Sequence, residues 1–367
     1  MPVGAYTSNQ VKAALKNGNN TYSNSKGADS SFLSESDMDK IIEYATTKGI
    51  SIIPMLNTPG HMDVLVSAMS ELNVGSSRTS SEMSLTDDAQ VNFVKALQQK
   101  YINYFAAHGS KYYNFAADEY TFSALSDSEY TAFATYVNTI AKMVKDAGMT
   151  PICYNDGINY SGKMTSVPFD TDILVCYWAQ AANYASVTEL SNAGFKIINN
   201  NDAWYYVLGD YLYDVWSSGQ WGYNDALNGI QNTPVTQAKN VADKEVPVVG
   251  SVLCCWCDGP AKVYSNYETQ VYNLIKAMAD ANPAYFTDAV KLPATDTDDQ
   301  VSVVVTGTKG QTATVDAEPV ISSYTFEAEN VASYNVTPMV AGQNYTAQGT
   351  VTLPVPAGWV QDASRIR

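Results

Sequence analysis

The 367-residue chain is poor in the residues that metal centres, disulfide frameworks and polyanion binders need, with two histidines, five cysteines, and 21 basic residues against 37 acidic ones. A formal charge of -16 opposes approach to a phosphate backbone, so nucleic acid is not expected as a partner. Cys153, Cys176, Cys254, Cys255 and Cys257 are odd in number and lack the paired spacing of a zinc site or a disulfide framework. They read as buried thiols packing as small hydrophobes, and neither metal nor cofactor is expected. No apolar run approaches the roughly 20 residues that cross a bilayer. The start MPVGAYTSNQ has neither the charged nor the apolar region of a signal peptide, so a soluble chain without a membrane-spanning segment is expected.

What is present is an ordered α/β pattern. The length suits one barrel of roughly 250 residues plus a smaller appendage. Apolar strand-like segments alternate with amphipathic helices from about Ser51 to Phe286, the grammar of a parallel sheet or barrel. Strands are predicted at Ser51 to Leu56, Tyr113 to Ala117, Pro151 to Asn155, Ile173 to Trp178, Phe195 to Asn199 and Val249 to Trp256. Helices are predicted from Ser34 to Lys48, capped by Ser34 with Asp37, from Thr86 to Ala107, from Ser128 to Ala147 and from Tyr267 to Ala281, each with a recognisable start or stop. After Phe286, KLPATDTDDQ reads as an acidic linker, and VSVVVTG, TATVDA, YTFEAE and TVTLPVP alternate as antiparallel strands do. The expected division is a catalytic barrel over 1–290, a linker over 291–300, and over 301–367 a partial Ig-like β-sandwich, with fewer strands than the roughly seven of a complete one.

The run YYNFAADEYTF, Tyr112 to Phe122, carries the chemistry. A buried strand ends abruptly in two adjacent carboxylates, Asp118 and Glu119, at the end where barrel enzymes place catalytic groups. Other predicted strands finish in similar company: Asn57 to His61, Asn155 to Gly157, Tyr177 and Trp178, Asn199 to Tyr206, and Trp256 to Asp258. Polar strand ends are ordinary; the recurrence of indole and phenol rings there is not. Trp178, Trp204 and Trp256 offer faces on which the C–H side of a pyranose stacks, with acids and amides for its hydroxyls. His61 follows Pro59 and Gly60, a turn able to aim its ring into the mouth, whereas His108 sits at a helix end, where the dipole accounts for it. Asp156, Asp202 and Asp258 either bind hydroxyls or cap loops, and spacing does not separate those readings.

Six stretches in order, SIIPMLNTPGHM, NFAADEY, YNDG, VCYW, NNNDAWYYVLG and LCCWCDGP, resemble successive motifs of the family 20 glycoside hydrolases, the β-N-acetylhexosaminidases. The resemblance covers roughly Val3 to Phe286 and is strongest to surface-anchored exo-β-N-acetylglucosaminidases of Gram-positive bacteria. It implies a (β/α)8 TIM-type barrel and a retaining, substrate-assisted hydrolysis, an exception to the two-carboxylate scheme. On that resemblance Glu119 is the general acid, kept protonated by the neighbouring charge of Asp118. Asp118 orients the substrate acetamido group as its oxygen attacks the anomeric carbon. Tyr205 steadies that oxygen, with Tyr206 as the neighbouring alternative, and His61 matches the histidine that supports the acid through a partner aspartate, for which no residue between Met1 and Lys48 is a convincing replacement. Trp178, Trp204 and Trp256 wall the pocket, and Asp258, Asn155 and Asp156 contact the sugar. Because the PGH strand belongs third in such barrels, the resemblance also implies that two strands are lacking and about six are present. Weak or no activity is then expected of this chain alone, since open edges are costly to a fold that relies on closure. A double-displacement glycosidase and a non-catalytic glycan-binding adhesin, or an inactive fragment, are the competing expectations. The implied partner is a glycan ending in N-acetylhexosamine, met outside the cell or at the cell wall.

Overall fold

The computed structural model describes residues 3–17, 33–201, 206–208, 222–232, 237–238, 246–256 and 267–281, and the strand segments 302–306, 323–327, 344–347 and 351–354. Contacts divide the chain into two units, Met1–Ile42 with Ser51–Phe286, and Glu43–Ile50 with Thr287–Arg367.

The first unit is built on strands β1 (Met55–Thr58), β2 (Tyr112–Ala116), β3 (Thr150–Tyr154), β4 (Leu174–Tyr177) and β5 (Lys196–Asn199). Four shorter segments follow within the same unit: β6 (Tyr206–Leu208), β7 (Gln237–Ala238), β8 (Val246–Pro247) and β9 (Gly250–Ser251). The last described strand of the unit is β10 (Cys254–Trp256). A six-stranded sheet runs β1-β2-β3-β4-β5-β9, parallel throughout. The expected strand Val249 to Trp256 is therefore two strands in two sheets, because β10 pairs instead with β6. Asn200 marks the break, its side-chain amide donating to the carbonyl of Val252 at 3.0 Å. Strand β6 itself was not anticipated from the sequence. β7 and β8 form a separate antiparallel pair.

Helices α1 (Ser8–Asn17), α2 (Glu35–Thr47), α3 (Asp63–Glu71), α4 (Asp88–Ala107), α5 (Asp127–Asp146), α6 (Val187–Asn192), α7 (Tyr223–Asn232) and α8 (Tyr267–Ala281) complete the described helices. The cap of α2 is as read, Ser34 and Asp37 exchanging bonds. Two caps differ. Asp87 rather than Thr86 opens α4, accepting from the N–H groups of Ala89 and Gln90, because an ionised carboxylate is the stronger acceptor at a helix N-terminus. Ser126 rather than Ser128 opens α5, where it forms a reciprocal capping box with Glu129 that Ser128 has no partner to make. Helices α1, α3, α6 and α7 were not anticipated; all four are short, of 6 to 10 residues, and α6 spans under two turns.

Alternation along the strands separates two apolar layers. Tyr113, Phe115, Cys153, Val175, Tyr177 and Ile197 face one way and join residues of α4, α5 and α6 such as Leu97, Phe133, Ile140 and Leu190. Ala116, Ile152, Tyr154, Leu174, Cys176 and Ile198 face the other way and pack with Trp178. Within the helix-facing layer a polar knot centres on Thr58, whose Oγ1 accepts from Tyr136 Oη at 2.6 Å and Gln98 Nε2 at 2.8 Å. Tyr113 Oη donates to Gln98 Oε1 at 2.6 Å, so each buried dipole finds a partner, as burial demands.

In the second unit the segments Ser302–Thr306 and Ser323–Glu327 pair in parallel, and Asn344–Ala347 pairs antiparallel with Val351–Pro354. The antiparallel expectation holds for the second pair and fails for the first. The connection from Thr306 to Ser323 is long enough for a crossover, whereas that from Ala347 to Val351 permits only a hairpin.

Candidate active site

Strand β2 delivers the acids through a strained turn. Ala116, Ala117 and Glu119 have φ of 63°, 60° and 46°, a left-handed conformation that costs non-glycine residues on the order of 1–3 kcal/mol each and collects at functional sites. Specific acceptors hold it. Ala116 N–H donates to Asn114 Oδ1 at 2.8 Å, Ala117 N–H to the Thr58 carbonyl at 3.1 Å, and Glu119 N–H to Asp156 Oδ2 at 2.7 Å. The PGH turn after β1 passes so near that a Cβ on Gly60 would lie 2.7 Å from the Asp118 carbonyl oxygen. Only glycine allows this approach.

His61, itself at φ 53°, points its ring at the acids, with Nε2 2.9 Å from Glu119 Oε2 and 3.7 Å from Asp118 Oδ2. Asp118 is partly buried, its side chain 13% exposed, and its Oδ1 is enclosed without a hydrogen-bond partner. Glu119 is about half exposed, at 51%.

These contacts set the charges. The hydrogen bond that His61 donates to Glu119, with the charges of Asp118, Glu119 and Asp63, raises His61 to about 9 against partial burial. The same bond holds Glu119 below the ordinary carboxylate range. Burial raises Asp118 to about 6, with the His61 charge opposing it. The expectation that Asp118 keeps Glu119 protonated is thus corrected: the imidazolium touches Glu119 directly and outweighs Asp118. His61 also reaches the acid without an intervening aspartate.

Asn155 and Asp156, expected to contact sugar, are fully buried and occupied within the chain. Asn155 Oδ1 accepts from the N–H groups of Trp178 at 2.9 Å and Ala179 at 3.2 Å, and its Nδ2 donates to the Ala179 carbonyl at 2.8 Å. Asp156 uses Oδ2 for Glu119 N–H and Oδ1 for the indole Nε1 of Trp178, at 3.1 Å. One carboxylate therefore ties the acid-bearing turn to an aromatic wall. Burial and the nearby Asp118 raise Asp156 to about 7.

Trp178 is partly buried at the end of β4, with Tyr154 edge-on at 6.4 Å between ring centroids. Trp256 ends β10 and is partly buried; Tyr206 begins β6. Trp204, Tyr205 and Asp258 lie outside the described residues. Among the described residues no group of three His, Cys, Asp or Glu is placed to hold a metal ion, and no helix is long and apolar enough to cross a membrane. The sequence reading passed over Glu82, a buried carboxylate that grips Thr121; it sits in the featureless run RTSSEMS, where only an acid between small polar residues gave any signal.

Residues 2–282 match the family described as glycosyl hydrolase family 20, catalytic domain. The chain belongs to this family. A solved structure from a study of the tandem catalytic modules of the pneumococcal exo-β-D-N-acetylglucosaminidase StrH shares 34% identity over 76% of this chain and 71% of that one, with a TM-score of 0.67. A second StrH structure, described in terms of N-glycan recognition and hydrolysis, agrees equally, with 34% identity and a TM-score of 0.67. Dispersin B, 22% identical over 68% of this chain and 76% of that one, with a TM-score of 0.55, is alike in fold. Lacto-N-biosidase of Bifidobacterium bifidum is 28% identical over 210 residues, 52% of this chain. The match spans 18% of the length of that relative.

Proposed function

We propose that this family 20 chain is a retaining exo-glycosidase that removes terminal β-linked N-acetylhexosamine from glycans by substrate-assisted catalysis. The observation that carries the reading is the pairing of a largely enclosed Asp118, one oxygen of which lacks a partner, with an adjacent, half-exposed Glu119 on the same strand end. Asp118 Oδ1, enclosed and unpaired here, comes to accept the N–H of the acetamido group when substrate enters, and the ionised carboxylate offsets positive charge as the acetamido oxygen closes on the anomeric carbon. Glu119 protonates the leaving oxygen and then activates water. For that it must hold a proton, so the His61 contact opens when substrate enters. A double displacement needs a second free carboxylate about 5 Å from the acid. Asp156 does not serve, since protein N–H groups occupy both its oxygens.

In this reading Trp178, Trp204 and Trp256 enclose the terminal sugar, Tyr205 or Tyr206 steadies the acetamido oxygen, and Asp258 takes a sugar hydroxyl. Residues 1–290 form the catalytic part, of the TIM-barrel type, 291–300 a linker, and 301–367 an Ig-like module, acting outside the cell or at its wall. The test is a thiazoline, which mimics the oxazolinium, titrated into the wild-type chain, Asp118→Asn and Glu119→Gln. Tight binding to wild type, loss of about tenfold or more with Asp118→Asn, and loss of hydrolysis of a 4-methylumbelliferyl N-acetyl-β-D-glucosaminide with Glu119→Gln are expected. Equal thiazoline binding by wild type and Asp118→Asn would overturn the mechanism. Undiminished glycan binding by a wild type that never hydrolyses would mark a lectin.

A further inference from the structure

We propose that the segment Arg78–Met83, through Glu82, is a brace that fixes the separation of the two turns carrying His61 and Glu119, making Glu82 a positioning residue; the inference rests on the catalytic role given above to Glu119.

The brace touches both turns. On the Glu119 side, Glu82 Oε1 accepts from Thr121 N–H at 2.7 Å and from Thr121 Oγ1 at 2.5 Å, two residues beyond the acid. Tyr120 Oη donates to the Met83 carbonyl at 2.9 Å. On the His61 side, Met83 N–H donates to the Pro59 carbonyl at 3.1 Å, and Met62 N–H donates to the Ser81 carbonyl at 2.8 Å. The residues flanking His61 and those following Glu119 are thus bonded to one short segment.

That segment is anchored to a rigid element. Arg78 Nε lies 3.5 Å from Glu82 Oε2, and its Nη1 donates to Glu129 Oε1 at 2.8 Å. Glu129 belongs to the capping box of α5. The Arg78 guanidinium also lies 5.7 Å from the centre of the Tyr120 ring, and the N–H groups of Arg78 and Thr79 both donate to the Glu82 carbonyl. A carboxylate only 4% exposed is costly to bury, and an apolar side chain of like volume serves packing as well or better. What an apolar side chain cannot do is accept the N–H of Thr121 beside a turn held at positive φ.

The experiment uses the full chain with Glu82→Leu, which removes the acceptor, Glu82→Gln, which keeps one, and Glu119→Gln. Amide exchange is followed by mass spectrometry over residues 117–122, and the His61 titration by NMR. The leucine variant should exchange at Thr121 about tenfold or more faster, leave the 130–144 region of α5 unchanged, and bring the His61 midpoint down. The glutamine variant should recover part of both. Hydrolysis should show kcat reduced about tenfold with KM altered less than about threefold, as loss of positioning predicts.

Unchanged Thr121 exchange and an unchanged His61 titration in the leucine variant overturn the brace. If that variant does not fold, the same two null results in the glutamine variant overturn it. If Glu119→Gln leaves hydrolysis untouched, the catalytic reading falls, while exchange and titration still judge the brace. If Glu119→Gln abolishes hydrolysis but the Glu82 variants match wild type in all three measurements, the brace alone falls.

Discussion

Because the chain holds only two histidines, the His61–Glu119 contact can be read directly. The perturbation is Glu119→Gln, and the observable is the imidazole titration, followed by NMR from pH 5 to 10 and assigned with a His108→Gln variant. In the wild type the ring should titrate near 9, because Glu119 Oε2 accepts from it and the surrounding carboxylates favour its cation. Removing one close carboxylate should lower the midpoint by about 1 to 2 pH units, the usual effect of a neighbouring opposite charge. Asp118 and Asp63 then remain to offset burial. The sign for stability follows. His61 binds its proton more tightly folded than unfolded, so its contribution is fully present below the ordinary value of 6.5 and disappears as pH rises through about 9. With the imidazole side chain 44% exposed, solvent screening limits that contribution to about 1 kcal/mol. Between pH 6.5 and 9 the wild type should therefore lose more melting temperature than His61→Gln, by at most about 2–4 °C, because Asp118, no longer lowered by the imidazolium, titrates higher in the variant and offsets part of the difference. A wild-type midpoint at or below 6.5, or one that Glu119→Gln leaves in place, would refute the pairing.

Three further outcomes are expected. One cation lowers both acids, so His61→Gln should move both limbs of the pH profile of kcat/KM toward alkali, by about one pH unit; stationary limbs would contradict the electrostatics. Gln98→Leu leaves Tyr113 Oη without its acceptor and takes a donor from Thr58, and should cost about 2–4 kcal/mol in urea unfolding; a change within about 0.5 kcal/mol would show that water enters. Gly60→Ala puts a methyl 2.7 Å from the Asp118 carbonyl oxygen, and should depress kcat about tenfold or more by displacing the acids. Unaltered kcat in that variant would mean the turns part freely.

The parallel strands, the main helices and the acid-bearing strand end were legible because each rests on a local pattern: an apolar run, a cap, a stop. Tyr206–Leu208 was not, since a three-residue strand carries too little pattern and exists only through its pairing with Cys254–Trp256. The break after Ser251 is met by Asn200, which bonds Val252 across 52 residues of sequence, a contact visible only in space. In the site, the identity of Asp118, Glu119 and His61 as neighbours was readable from strand order. Their protonation was not, because it depends on which of two carboxylates the imidazole touches. The same holds for Asp156, whose exposed-looking position in YNDG hides a side chain spent on two N–H donors.

The hydroxyl of Thr58 has a consequence for anyone building variant libraries of this fold. Residues from α4 and α5 converge on that single atom, and its own carbonyl receives the N–H of Ala117. Changes introduced far from the mouth, at Tyr136 or Gln98, therefore alter the bonding of a residue that also holds the acid-bearing turn. Randomising either helix one position at a time will discard combinations that work only when both partners change together.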